Sequence, residues 1–180
     1  MKIPILCGPT ASGKSAFALQ LAQKIGGEII SCDSAQIYRE CDIVTAKPTR
    51  QERESVPHHL LDICNPNERF SAMLWAHAAA KTASEIVARG KIPVICGGTG
   101  FYLRALLQPE NLAAPALGAV GYKQLLPVLE NPARLPEAVA VWKQARRNYA
   151  KRQMTWFRHQ TPAIWLDARC EISEILQQIQ

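Results

Sequence analysis

Residues Gly8-Pro9-Thr10-Ala11-Ser12-Gly13-Lys14-Ser15 match the spacing G-x-x-x-x-G-K-[ST], in which backbone N–H groups wrap around phosphate oxygens. In such a loop Lys14 neutralises the anion, the Ser15 hydroxyl is free to ligate Mg²⁺, and the positive end of the following helix adds to both. The motif predicts a polyphosphate ligand and leaves open whether it is a nucleotide or another diphosphate. Asp33, at the end of an apolar run, is the second candidate. Beside a phosphate site it can hold Mg²⁺ through water or take a proton from an attacking nucleophile, although an Asp capping a turn has the same local pattern. Gly97-Gly98-Thr99-Gly100 is the third: glycine permits close approach of backbone to ligand, and Thr99 can donate to a developing charge. Lys143, Arg147 and Lys151 recur at steps of four with Arg146, Arg152 and Arg158 beside them. That stripe can track a phosphate backbone, and a solvated basic helix face would look alike.

These residues need elements that bring them to one place. Residues 3–7 form a short apolar run that reads as a buried first strand, and Lys14 to Ile25 reads as a helix stopped by Gly26-Gly27. Glu28 to Cys32 is the second strand and runs straight into Asp33. The polar stretch from Tyr38 to His58 is expected to be a loop region that closes over a ligand, followed by a third strand over Leu60-Leu61-Asp62-Ile63. Ser71 to Arg89 is a long helix capped by Ser71 and ended by Gly90, Ile92 to Cys96 a further buried strand, and a helix runs on through Leu107. The Pro- and Ala-rich stretch Gln108 to Pro115 breaks the alternation. Helices are expected around Tyr122 to Leu129 and from Pro136 to about His159, then a short strand Ala163 to Leu166 and a last helix. In the long helix Ala138, Trp142, Ala145, Tyr149 and Trp156 form a core-facing stripe.

Strands alternating with helices predict an α/β fold, a P-loop NTPase-like parallel sheet flanked by helices with a small helical C-terminal part. In such a sheet the carboxyl ends of the strands line the ligand crevice, which is where the glycine loop, Asp33 and Thr99 all fall. The expected organisation is a catalytic core over 1–107, a junction over 108–116, and helices with a last strand over 117–180 completing the core.

Composition narrows the class. With 180 residues, 48% hydrophobic and 20% charged, the chain is no disordered polyelectrolyte, and no apolar run approaches the length that a bilayer requires. A cytoplasmic protein without a membrane partner is the expectation. Six cysteines without a C-x-x-C pair point to buried free thiols rather than a zinc site, and His58 and His59, lacking a partner at ligand spacing, to loop or strand-edge packing. The net charge is +6, and Arg134 to Arg158, with seven basic residues against Glu137, carries an excess of that size by itself. A positive surface so localised suits a polyanion such as nucleic acid.

Several blocks together resemble the tRNA dimethylallyltransferases, the isopentenyl transferases that modify an adenine beside the anticodon. They are the Gly8–Ser15 loop, Ser31-Cys32-Asp33-Ser34-Ala35-Gln36-Ile37-Tyr38, Thr45-Ala46-Lys47-Pro48-Thr49 and Val56-Pro57-His58-His59-Leu60-Leu61-Asp62. Gly97-Gly98-Thr99-Gly100-Phe101-Tyr102, Ala119-Val120-Gly121-Tyr122-Lys123-Gln124 and Tyr149-Ala150-Lys151-Arg152-Gln153-Met154-Thr155-Trp156-Phe157-Arg158 complete them. The resemblance implies that the loop holds dimethylallyl diphosphate rather than ATP, with Mg²⁺ near Ser15. It further implies Asp33 as general base for the exocyclic amine of the adenine, with Thr99 assisting at the reacting centre. Asp33, Ser34, Ala35 and Gln36 would meet the flipped-out base, and Gly118, Ala119, Val120, Gly121, Tyr122, Lys123, Arg147, Lys151 and Arg152 the tRNA. Gly118 and Lys123 stand where Arg is common in the family, which weakens that phosphate contact. Leu107-Gln108-Pro109 passes almost directly to Leu117, so a helical insertion on the order of a hundred residues is missing relative to the family. A monomer is expected. Two other functions share parts of the pattern: a P-loop kinase of a small metabolite, which leaves Pro57-His58-His59 and the basic helix unexplained, and a tRNA-binding remnant without turnover.

Overall fold

The computed structural model describes residues 2–107, 131–160, 164–167 and 171–179. Four parallel strands form one sheet: β1 (Ile5–Cys7), β2 (Gly27–Cys32), β3 (His58–His59) and β4 (Ile92–Gly97), in the spatial order β1-β4-β2-β3. The last strand in sequence thus lies between the first two. Cys7 pairs with Gly97, and Gly97 with Cys32, so β1, β4 and β2 all end at one level.

The helices are α1 (Lys14–Ile25), α2 (Asp42–Thr45), α3 (Arg50–Ser55), α4 (Ala72–Ala88), α5 (Gly100–Leu107), α6 (Leu135–Gln160) and α7 (Ile172–Ile179). α1 ends at Gly26, which adopts the left-handed conformation that its lack of a Cβ makes inexpensive. Ser71 accepts the Leu74 N–H and caps α4, and Thr49 with Glu52 forms a reciprocal capping box on α3.

Alternation along the strands sorts side chains to two faces. Ile29, Val94 and Cys96 pack with Ala18, Leu21 and Ala22 of α1 and with Val56, while Ile172 and Leu176 of α7 lie against the same cluster. Ile30, Cys32 and Ile95 face the other way, onto Trp75, Ala76 and Ala79 of α4, Tyr102 and Leu103 of α5, and Phe157 of α6. Trp75 stacks on Tyr102 with ring centroids 4.9 Å apart, and its indole N–H donates to the Ser31 carbonyl at 2.9 Å. This satisfies a buried polar atom while anchoring α4 to β2.

Three expectations need correction. Leu60–Ile63 is not a strand: the third strand is His58–His59, after which Leu60 and Asp62 take φ values of 60° and 57°, incompatible with extended backbone. The stretch 38–58 is not one loop but carries α2 and α3. Of the strand expected over Ala163 to Leu166, Ala163 lies outside the described residues, and Ile164–Asp167 is without regular structure and joins none of the four described strands, with Ile164 and Trp165 left exposed rather than buried as a sheet strand would bury them. The helix expected over 122–129 and the junction 108–116 lie outside the described residues.

The bottom of the sheet is tied by Glu28, which accepts from Arg89 at 2.7 Å and meets His59 Nε2 at 2.6 Å. Burial opposes its charge, but these two partners outweigh it and hold the carboxyl below its ordinary range.

Candidate functional site

The glycine loop leaves β1 at Cys7 and enters α1 at Lys14, as its motif requires. Ala11 at φ 65° and Gly13 at φ 81° bend it back on itself, and Lys14 Nζ donates to the Pro9 carbonyl at 3.0 Å, which places the ammonium inside the turn. Ser15 is exposed one residue into the helix and borders a cavity of about 200 Å³ that Leu19, Pro48, Glu52 and His58 also line.

β4 delivers the next part. Being the neighbour of both β1 and β2, it places Gly98 and Thr99 between the glycine loop and Asp33. Thr99 is buried, and its hydroxyl accepts the Ser34 N–H at 2.9 Å and lies 3.3 Å from the Ser34 hydroxyl. The Thr99 N–H donates to the Cys32 carbonyl at 3.2 Å. Asp33, partly exposed, accepts the Ala35 N–H at 2.8 Å, a side-chain turn that leaves its second oxygen outside that bond. The turn cap and the candidate carboxylate are thus the same residue.

α6 closes the third side. Burial, together with the nearby Asp33 charge, raises the Tyr149 phenol above its ordinary range, against a smaller lowering by the Thr99 side chain, so the phenol stays neutral. Gln153, buried, accepts the Thr10 N–H at 3.0 Å and donates to the Gly98 carbonyl at 2.5 Å. Gln153 was missed in the core stripe, although its signal is present in the sequence. The stripe steps from Tyr149 to Trp156, and helical period requires a member between them, which is a polar residue. The stripe itself is only partly core: Ala138 is buried, whereas Trp142, Ala145, Tyr149 and Trp156 are intermediate. Lys143, Arg147, Lys151 and Arg152 are exposed on α6.

The Ser34-Ala35-Gln36 segment follows Asp33 along the same rim. Gln36 is fully engaged, accepting from Ser31 at 3.0 Å and donating to the Thr45 and Ala46 carbonyls at 3.1 Å. Beyond it the chain is pinned rather than loose. Lys47, with 2% of its side chain exposed, bonds Asp42 at 2.6 Å, Asp62 at 2.5 Å and the Tyr38 carbonyl at 2.7 Å, and Arg53 reaches Asp62 at 2.8 Å. Burial works against the Lys47 charge, but Asp42 and Asp62 raise its pKa; Asp62, likewise opposed by burial, is lowered by Lys47 and Arg53. Of the expected tRNA-binding residues, Gly118, Ala119, Val120, Gly121, Tyr122 and Lys123 lie outside the described residues.

A pH prediction follows from the two lowered carboxyls. Glu28 and Asp62 contribute stability that is present above their ordinary values of 4.5 and 3.8 and is lost as pH falls through their lower folded values. Thermal melts should therefore show Tm level near neutrality and falling from about pH 4.5 downward, whereas a Tm unchanged from about pH 5 to about pH 3 would show that the clamps contribute nothing.

Two family patterns match this chain, IPP transferase over residues 36–114 and 107–160 and isopentenyl transferase over residues 1–67. The chain belongs to the IPP transferase family. A tRNA dimethylallyltransferase of Koribacter versatilis is 54% identical over 103 residues, 57% of this chain and 34% of that protein. The chain thus spans about a third of the length of the curated relatives it matches. The full-length tRNA isopentenylpyrophosphate transferase of Bacillus halodurans is similar in structure at a TM-score of 0.86 and 26% identity, covering 99% of this chain and 94% of that one. A eukaryotic dimethylallyltransferase acting on tRNA aligns at a TM-score of 0.58 and 25% identity, covering 99% of this chain and 44% of the other.

In this IPP transferase fold, the three sequence-predicted parts, Gly8–Ser15, Asp33 and Thr99, meet at one edge of the sheet. Among the described residues no group of three His, Cys, Asp or Glu could hold a metal ion; the exposed Ser15 hydroxyl is a hard oxygen donor of the type that Mg²⁺ takes alongside phosphate oxygens and water. The thiols beneath this edge are poor nucleophiles: burial pushes Cys32 well up and Cys96 to about 12, and raises Cys7 against the pull of Lys14.

Proposed function

We propose that this chain transfers a dimethylallyl group from dimethylallyl diphosphate to the exocyclic amine of an adenine beside the anticodon of tRNA. The observation that carries this is the common level at which β1, β4 and β2 end, which puts a phosphate loop, a threonine and a carboxylate side by side. Relatives named tRNA dimethylallyltransferase and a structural neighbour acting on tRNA support it over a metabolite kinase.

The reaction is a substitution at the allylic carbon. The amine nitrogen forms the new C–N bond as the C–O bond to diphosphate breaks, and the proton released from nitrogen passes to the Asp33 carboxylate. Positive charge accumulates on the allylic carbon, so stabilising the departing anion lowers the barrier most. The loop N–H groups and Lys14 receive that anion, and Ser15 would hold Mg²⁺, which when bound neutralises further diphosphate charge. Thr99 fixes the Ser34 backbone and so the direction of Asp33. The base has to leave its stack to reach Asp33, a cost of a few kcal/mol that is smaller in a single-stranded loop. Ser34, Ala35 and Gln36 line its path along the rim, and Arg147, Lys151 and Arg152 hold the RNA backbone. The enzyme acts in the cytoplasm, in keeping with a described structure in which no helix is long and apolar enough to cross a membrane.

Incubating the chain with radiolabelled dimethylallyl diphosphate, Mg²⁺ and tRNA should give labelled tRNA. ATP hydrolysis with a small metabolite in its place would favour the kinase, and tRNA binding without label the remnant. Arg147→Ala and Lys151→Ala should each weaken tRNA binding uniformly across sequences and reduce the salt slope of binding by about one, as filter-binding titrations across ionic strength would show. Unchanged slopes would turn α6 away from the RNA.

A further inference from the structure

Gln153 stands where α6 crosses the strand ends, 6% exposed, and one carboxamide serves both loops of the site. Its oxygen takes the Thr10 N–H and its nitrogen donates to the Gly98 carbonyl. Gly98 fits this arrangement closely, since a Cβ there would run into the Gln153 nitrogen and come within 2.9 Å of the Gly8 carbonyl. The chemistry admits little else: Glu would set an oxygen against the Gly98 carbonyl and a negative charge beside a loop built for an anion, and Asn is one methylene short. A methionine of similar volume would fill the space while leaving a partly buried N–H and a buried carbonyl unpaired.

We propose that Gln153 is a positioning residue that locks the phosphate loop to the Thr99 loop. Because it projects from the helix that bears Lys143, Arg147 and Lys151, it also links the RNA-facing surface to the grip on the leaving group. By occupying the Thr10 N–H it assigns the anion to the remaining N–H groups of the loop, from Ala11 to Ser15. The inference rests on the diphosphate reading of the loop and adds to it a residue that does not touch the substrate.

The test compares Gln153→Met and Gln153→Glu with the unaltered full chain, using calorimetric titration with inorganic pyrophosphate and Mg²⁺. Steady-state kinetics with dimethylallyl diphosphate and an anticodon stem-loop accompany it. Pyrophosphate affinity should fall about tenfold in Gln153→Met and further in Gln153→Glu, the size expected for unpairing one or two hydrogen bonds. KM for dimethylallyl diphosphate should rise in step, with kcat and the KM for RNA changing less than about threefold, a split that a merely structural role would not produce. Pyrophosphate binding equal to that of the unaltered chain in both variants would overturn the inference and leave the diphosphate site standing. Unfolding of both variants in thermal melts would overturn it too, by making Gln153 a scaffold residue. Failure of the unaltered chain to bind pyrophosphate would instead remove the diphosphate reading, and this inference with it.

Discussion

Asp33→Asn should lower the rate of dimethylallyl transfer by on the order of a thousandfold while leaving pyrophosphate affinity within about threefold of the unaltered chain. Asparagine keeps the oxygen that accepts the Ala35 N–H, so the turn holding Ser34 against Thr99 survives the change. What disappears is the proton acceptor, and with it the means of removing the charge that builds on the attacking nitrogen. Single-turnover measurement with saturating dimethylallyl diphosphate isolates that step from binding and release. A rate within about threefold of the unaltered chain would show that the proton leaves to solvent or to another group and that Asp33 merely caps its turn.

Lys14→Ala should cost on the order of a hundredfold in transfer and, unlike Asp33→Asn, most of that loss should already appear in pyrophosphate binding. The structure separates this effect from folding. Lys14 opens α1, where alanine is an equally good helix former, and among the described residues its ammonium bonds only the Pro9 carbonyl of its own loop. Removing it takes one full positive charge from the proposed diphosphate site, where the anion is to be held in the ground state and, more strongly, as the C–O bond breaks. Parallel titrations of the two variants decide the assignment. Equal losses of affinity in both would deny them separate roles, and an Asp33→Asn defect confined to affinity would reverse them.

The glycine loop between β1 and α1, the boundaries of α1 and α4, and the placement of Asp33 just past β2 were all legible in the sequence. Each depends on groups a few residues apart: the glycines of the loop, Gly26 past the end of α1, Ser71 accepting from Leu74, an apolar run ending in a carboxylate. Such signals are local, so chain order carries them. The stretch after His59 misled because Leu60-Leu61-Asp62-Ile63 has the composition of a strand. In the fold it instead meets Arg39, which donates to the Asp62 carbonyl at 2.9 Å, and Lys47 and Arg53, which bind the Asp62 carboxylate. Those cations lie 23, 15 and 9 residues away, and no local periodicity announces them.

By itself, then, the amino-acid order determined that there would be a glycine loop between the first strand and its helix, a parallel sheet and a carboxylate at a strand end. The tertiary structure alone decided that β4 slides between β1 and β2, and therefore that Thr99 stands between the loop and Asp33. It also decided that Gln153, 143 residues beyond Thr10, fastens the loop from above. The physical reason is that parallel strands of similar apolar composition offer much the same backbone hydrogen bonds in any order. Which strand lies centrally is settled by how α1 and α7 on one face, and α4, α5 and α6 on the other, together bury the whole sheet.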